Sequence, residues 1–276
     1  MGPTSHDAVA TVRRLLGASR VGHAGTLDPL ASGLLLVLVG RATRLARFTG
    51  VLPKRYEATL RCGAETTTDD AGGAVTAEDD AWRGLTEDAV RRALAEVAAL
   101  GEQVPPAVSA KKVAGERAYK LARRGEAADL APSAVTIHRL DVRRIALPEV
   151  DFAVECSAGT YVRAIARDTG RLLGTRAHLT ALQRTGIGPW SVEAATPLAG
   201  ATPSSLAAAL RPMEEIVAHL PRIEIGPEAA ERLRHGAKIA DERVVEGPVA
   251  LVAEGELLAV AEYRDGLYAP AVVLVG

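Results

Sequence analysis

The stretch Gly22-His23-Ala24-Gly25-Thr26-Leu27-Asp28-Pro29-Leu30-Ala31-Ser32-Gly33 sets a single carboxylate among small and apolar residues. Such surroundings raise the cost of ionising Asp28 unless a cation partners it. Pro29 restricts Asp28 to extended backbone, and the glycines let a ligand approach the main chain closely. An aspartate held this rigidly can act as a nucleophile, although an ordinary Asp-Pro turn carries the same residues. His23 fits either a hydrogen-bonding loop residue or a catalytic base. The sequence holds no Cys/His cluster with metal-ligand spacing, no Walker loop and no GxGxxG turn, so neither a metal nor a nucleotide cofactor is expected.

Aromatic residues make up only 3% of the chain, so their placement is informative. Tyr56 follows Lys54-Arg55, Tyr119 lies between Arg117 and Lys120, and Tyr161 is two residues from Arg163. An aromatic ring beside a cation suits stacking a base while holding its phosphate; each tyrosine alone also fits a half-buried packing position. The net charge of -1 hides an uneven distribution. Basic residues concentrate in 1–56, in 111–124 and in 158–184, whereas Glu65, Asp69, Asp70, Glu78, Asp79 and Asp80 crowd 64–80 with no basic residue among them. Gathered on one face, the three basic blocks make a phosphate-binding surface on a near-neutral protein; spread apart, they are three solvated helix faces. Binding of RNA on this account requires the acidic segment to stay off the active face. Arg13, Lys111 and Arg123 are candidate phosphate contacts.

The elements that must position these residues can be read from periodicity. Thr4-x-x-Asp7 forms a capping box ahead of Val9, Val12, Leu15 and Leu16 at helical spacing. Val21 to Ser32 reads as a loop and Leu34 to Val39 as a buried strand. Arg55 to Cys62 alternates as a half-buried strand. Thr86 caps a helix carrying Val90, Leu94 and Val97, and Pro105-Pro106 then opens an irregular, basic, mobile arm. Ala134 to Leu147 and Val150 to Cys156 read as paired strands around Pro148. A helix from Tyr161 to Leu173 turns Val162, Ile165, Thr169 and Leu172 inward, and Pro203 to Leu220 reads as helical. After Pro221 come a short helix (Pro227 to His235) and strands Val249 to Ala253, Leu257 to Tyr263 and Ala271 to Val275. The pattern is α+β, with a mixed, largely antiparallel sheet.

For 276 residues, one large domain and one small one are expected: 1–220, including an arm at about 103–130, and a β-rich 221–276. The longest uncharged stretch near the start, Pro29 to Gly40, is too short to cross a bilayer. The first residues lack a secretory layout, and two cysteines are too few for a disulfide framework. A cytoplasmic protein without a membrane anchor is the expectation.

Five collinear motifs carry a resemblance: Gly2-Pro3-Thr4-Ser5-His6-Asp7; the Gly22 to Gly33 stretch; Lys54-Arg55-Tyr56; Gln103-Val104-Pro105-Pro106-Ala107-Val108-Ser109-Ala110-Lys111-Lys112; and Cys156-Ser157-Ala158-Gly159-Thr160-Tyr161-Val162-Arg163. Together they resemble the TruB family of tRNA pseudouridine synthases. Members begin with a short strand ending in Lys-Pro ahead of the Gly-x-Thr-Ser motif, and this chain begins inside that motif. The resemblance implies a pseudouridine synthase fold, with its central sheet flanked by helices, followed by a PUA-like RNA-binding domain. It puts the nucleophile at Asp28, the base-stacking tyrosine at Tyr56 and the active-site arginine at Arg163, which then supplies the cation the Asp28 loop lacks. Tyr161 and Leu182 fall on positions that wall the uracil pocket, and His23 on a loop histidine near the displaced nucleotides. The implied reaction isomerises uridine 55 in the T-loop of tRNA, without cofactor or obligatory protein partner, by a monomer. Two other readings remain: an RNA-binding or folding module without catalysis, which the basic blocks and β-rich appendix alone would support, and a guide-RNA-dependent relative that needs partner proteins.

Overall fold

The computed structural model describes residues 3–109, 111–113, 115–118, 121, 124, 126 and 129–274. The first third of the chain holds α1 (Ser5–Leu16), β1 (Val21–Ala24), β2 (Ser32–Gly33), β3 (Leu36–Val39), β4 (Lys54–Cys62), β5 (Ala64–Thr66), β6 (Val75–Glu78) and α2 (Glu87–Ala99). Next come β7 (Glu102–Gln103), β8 (Lys112–Val113), β9 (Glu116–Arg117), β10 (Ser133–Ala134), β11 (Ile137–Ala146), β12 (Glu149–Cys156) and α3 (Val162–Leu172). The remainder is β13 (Ala177–Ile187), β14 (Trp190–Ser191), α4 (Pro203–Ala208), β15 (Arg222–Glu224), α5 (Pro227–Arg234), β16 (Pro248–Ala253), β17 (Glu256–Arg264) and β18 (Leu267–Val273).

The chain divides into two compact units. The first (Met1–Ser5, Thr26–Leu35, Val51–Ala195) is built on a six-stranded sheet of order β11-β12-β4-β13-β14, to which β2 adds by pairing with β13. Only the β2–β13 pair is parallel, so the sheet is mixed and largely antiparallel. Strand alternation decides which face is dry. Val150, Phe152, Val154 and Cys156 of β12 and Ala58, Leu60 and Cys62 of β4 point into one core with Val90, Leu94 and Val97 of α2 and Val162 and Ile165 of α3. The Thr86 hydroxyl caps α2 by accepting from Ala89 N at 3.2 Å, with Glu87 and Asp88 in the first turn.

Along α3, Val162, Ile165 and Thr169 are buried as expected, but Leu172 is 46% exposed. The inward position of that last turn belongs to Gly170, where an added Cβ would lie 2.7 Å from the Ala177 side chain. The acidic stretch after β4 is itself structured, Ala64–Thr66 and Val75–Glu78 pairing as a hairpin.

The second unit comprises His6–Gly25, Leu36–Gly50 and Thr196–Gly276, and so includes more than 221–276. The reading of Val21 to Ser32 as all loop is corrected here, because Val21–Ala24 pairs antiparallel with β3, Val21 facing Val39 and His23 facing Val37. The glycine and histidine that hide its pattern sit half-buried between buried Val21 and Ala24. Pro203 to Leu220 is not one helix: Pro203–Ala208 is a short α-helix and Met213–Val217 a 3-10 turn, separated at Pro212, which lacks the donor that a continuous helix needs. The last sheet runs β15-β16-β17-β18, with β15 parallel to β16. Its hairpins turn on Glu254-Gly255 and Asp265-Gly266, all four with positive φ, the requirement of tight two-residue turns. Its final strand is Leu267–Val273, earlier than the apolar run 271–275 indicated. No helix among the described residues is long and apolar enough to cross a membrane.

Candidate active site

Asp28 sits on a turn closed by a hydrogen bond from Ala31 N to Asp28 O at 2.8 Å, with Pro29 in the position its fixed φ favours. The two local readings of this loop therefore coexist, since the Asp-Pro turn is what presents the carboxylate. Each flank is tied down. Leu27 N donates to Ser5 Oγ at 3.0 Å, and Leu34 N donates to Arg184 O at 2.8 Å, continuing the β2–β13 ladder. Gly33 lies at φ +96°, and a Cβ there would drive into the Arg184 carbonyl. Glycine is required on both counts.

Arg163, in the first turn of α3, reaches the same carboxylate through two bonds, Nε to Oδ2 at 2.8 Å and Nη2 to Oδ1 at 3.2 Å. The rest of its fork is occupied by Thr68 O (2.8 Å) and Val108 O (3.1 Å), and Asp70 Oδ2 lies 3.5 Å from Nε. The Arg163 side chain is 4% exposed whereas that of Asp28 is 36% exposed, so a buried cation fixes a carboxylate that still opens outward. Asp70 is itself held by the Thr68 hydroxyl at 2.7 Å and Gly72 N at 2.9 Å. One turn further along α3, Arg167 binds Asp69 (3.0 Å), Asp168 (2.9 Å) and Val104 O (2.8 Å). Burial pushes the Asp69 carboxyl up, against the pull of Arg167.

These contacts correct the separation of charge expected from the sequence. The 64–80 acid does fold onto the active face, where Asp70 and Asp69 serve as counterions to Arg163 and Arg167, and Glu65 pairs with Arg176 at 2.6 Å. The 158–184 block is thus engaged in internal pairing rather than laid out as a phosphate surface. Sequence spacing did not mark Asp70, Arg167 or Arg184, because the partners that bring them to the site, Arg163 for Asp70, Asp69 for Arg167 and Leu34 for Arg184, lie far away along the chain.

Tyr56 on β4 and Leu182 on β13 share one apolar cluster with Leu30 and Ala31 of the Asp28 turn and with Val162, forming a wall beside the carboxylate's loop. Burial pushes the Tyr56 phenol up, so it is neutral at physiological pH. Tyr161 immediately precedes α3, its N–H donating to Gln103 Oε1 at 3.1 Å. Lys111 donates to Ser133 Oγ at 2.7 Å from an exposed position. His23 and Arg13 belong to the second unit: His23 is half-buried on β1, and Arg13 donates to Val21 O at 3.1 Å. Arg123 and Tyr119 lie outside the described residues.

Asp28, Tyr56, Arg163 and Leu182 thus converge from four separate stretches of sequence. Over residues 13–162, more than half of its length, the chain matches the family described as TruB family pseudouridylate synthase (N terminal domain). The chain belongs to the TruB family. This TruB-family chain is 46% identical over 287 residues to the tRNA pseudouridine synthase B of Thermobifida fusca (strain YX), covering 100% of the chain and 96% of that protein. It is 44% identical over 266 residues to the protein of the same name from Mycobacterium sp. (strain KMS), covering 95% of the chain and 89% of the relative. Among solved structures, a Cbf5-Nop10-Gar1 complex contains a similar chain, with TM-score 0.75 and 26% identity over 99% of this chain and 82% of that one. The TruB-family chain is accordingly a pseudouridine synthase, with the mixed sheet of that fold and a C-terminal strand sheet consistent with a PUA-like domain.

Proposed function

We propose that this protein isomerises uridine 55 in the T-loop of tRNA to pseudouridine, with Asp28 as nucleophile. The observation that carries the reading is the Asp28 carboxylate, gripped at both oxygens by buried Arg163 and set beside the apolar wall of Tyr56 and Leu182. Its relatives named tRNA pseudouridine synthase B supply the substrate class. A pre-oriented carboxylate has two routes. Attack on ribose C1′ forms an ester and frees uracil as the leaving group, whose C5 then displaces the carboxylate; attack on uracil C6 instead bonds the carboxylate to the base, the N1–C1′ bond breaks, C5 bonds C1′, and the carboxylate leaves C6 as the C5 proton is lost. In both, the C5 proton is lost and N1 gains one. Either route requires the base out of its stack, at a cost on the order of a few kcal/mol, which stacking on Tyr56 offsets in part. Tyr161 and Leu182 wall the uracil, and His23 meets the displaced nucleotides.

The three-block surface fails its own condition, since Asp69 and Asp70 lie on the active face. Phosphate binding is therefore assigned to the 1–56 and 111–124 blocks alone, with Arg13, Lys111 and Arg123 as contacts, while the arm at 103–130 closes over the T-loop. On this reading 1–220 is the catalytic domain and 221–276 a PUA-like RNA-binding domain of a cytoplasmic monomer. The test is purified chain with a bare T-arm hairpin, uridine isomerisation being mapped by carbodiimide labelling and primer extension. Modification at position 55, abolished by Asp28→Asn while hairpin binding stays within about three-fold, is the expected result. Retained turnover by Asp28→Asn refutes the nucleophile, and inactivity without guide RNA or partner proteins refutes the stand-alone reading.

A further inference from the structure

Arg184 is the largest fully buried side chain among the described residues, 2% exposed in the middle of the central sheet. A guanidinium there is a poor choice for stability, because an apolar side chain of similar volume avoids the cost of removing a charge from water. Its position explains more than its packing does. On β13, Arg184 stands directly opposite Tyr56 of β4 on one side and Gly33 of β2 on the other. Its Nε donates to Leu34 O at 2.8 Å, and Leu34 N returns a bond to Arg184 O at 2.8 Å, so the arginine is locked to the strand that follows the Asp28 turn. The same guanidinium hydrogen-bonds the Tyr56 side chain and lies within electrostatic reach of Asp28.

Resting on the function proposed above, we infer that Arg184 is a positioning residue for the isomerisation, acting through the Tyr56 hydroxyl. Arginine only donates, so Tyr56 Oη accepts from it, and the ring is tied to a guanidinium that the Leu34 carbonyl already anchors. Strand pairing alone sets the Tyr56 backbone; the hydrogen bond sets its ring. The released uracil must turn about the ribose before C5 can rejoin C1′, and a tyrosine fixed at both ends keeps that base in register with Asp28. A wall free to tilt lets the base drift, and losses of geometry on this scale lower the chemical step without weakening RNA binding.

The experiment is a double-mutant cycle of Arg184→Met and Tyr56→Phe, read by single-turnover isomerisation of a T-arm hairpin alongside hairpin affinity and thermal midpoint. Arg184→Met is expected to slow the single-turnover rate by about 100-fold, with affinity within about three-fold of the parent. In the Tyr56→Phe background, where the hydroxyl is already gone, it is expected to add less than about three-fold. Additive losses, or a loss confined to affinity, overturn the inference. Should Arg184→Met not fold, Tyr56→Phe alone still decides, since retention of the parental rate without the hydroxyl overturns it; Arg184→Lys, which keeps a donor, is expected to recover part of the rate. Inactivity of the unsubstituted chain would instead refute the proposed function, a separate outcome.

Discussion

Arg163→Lys tests the grip on Asp28 most directly. The guanidinium makes two bonds to the carboxylate and one each to Thr68 O and Val108 O, with Asp70 3.5 Å away. A lysine ammonium keeps the charge, but as a compact point charge it cannot span both Asp28 oxygens and two carbonyls pointing elsewhere. On the buried side, the lost carbonyl bonds and weaker neutralisation of Asp70 amount to about 2 kcal/mol, below the roughly 3–5 kcal/mol of removing a partner outright because charge remains. At about 2–4 °C per kcal/mol for a protein of this size, the thermal midpoint falls by about 4–8 °C. The chemical effect is larger, because a carboxylate held at one oxygen can swing by about 1 Å, which costs about 100-fold in rate. Single-turnover pseudouridine formation on a T-arm hairpin, calorimetry and hairpin affinity together check this. An Arg163→Lys variant that turns over within about three-fold of the parental rate, or that loses only affinity, would refute the reasoning that bidentate geometry, rather than charge alone, prepares the Asp28 carboxylate for its proposed role.

Four further outcomes are expected. Gly33→Ala forces an L side chain to φ +96° and against the Arg184 carbonyl, so urea unfolding is expected to show a loss of at least about 1–2 kcal/mol; parental stability would contradict the β2–β13 pairing. Burial pushes the Cys62 and Cys156 thiols up to about 11, from 9.0. The folded chain should therefore resist thiol reagents at pH 8, while their stabilising contribution, intact below pH 9, declines as pH rises towards 11 because only the unfolded chain deprotonates in that window. Lys111→Ala should lower the slope of log affinity for the hairpin against log salt by about 0.7–0.9, and an unchanged slope returns Lys111 to solvated surface. In the second unit, Tyr268→Phe removes the hydroxyl that donates to Arg243 O at 2.9 Å and accepts from Val245 N at 3.1 Å, with an expected loss of about 1–3 kcal/mol in chemical denaturation.

Local pattern carried a great deal of this protein. Alternation in 55–62 and 150–156, the Thr86 cap and the Gly-containing turns at 254–255 and 265–266 became strands, a helix and hairpins at or near the expected places, since those signals depend on neighbours in the chain. The Asp28 loop, Tyr56 and Arg163 were visible as residues in motifs for the same reason. What periodicity misjudged was decided by distant partners: the strand at Val21–Ala24 exists because β3 lies beside it, and Leu172 is exposed because Gly170 takes the inward place.

Charge shows the division most clearly. Composition alone determined that the chain is near neutral with basic and acidic segments, but not which of them meet. Only the tertiary fold brings Asp70 and Asp69 against Arg163 and Arg167, turning one of the three basic blocks into an internal brace of the Asp28 carboxylate. Only the fold buries Arg184 between Tyr56 and the strand after Asp28. Ion pairing and desolvation depend on distance in space, which spacing along the chain does not encode.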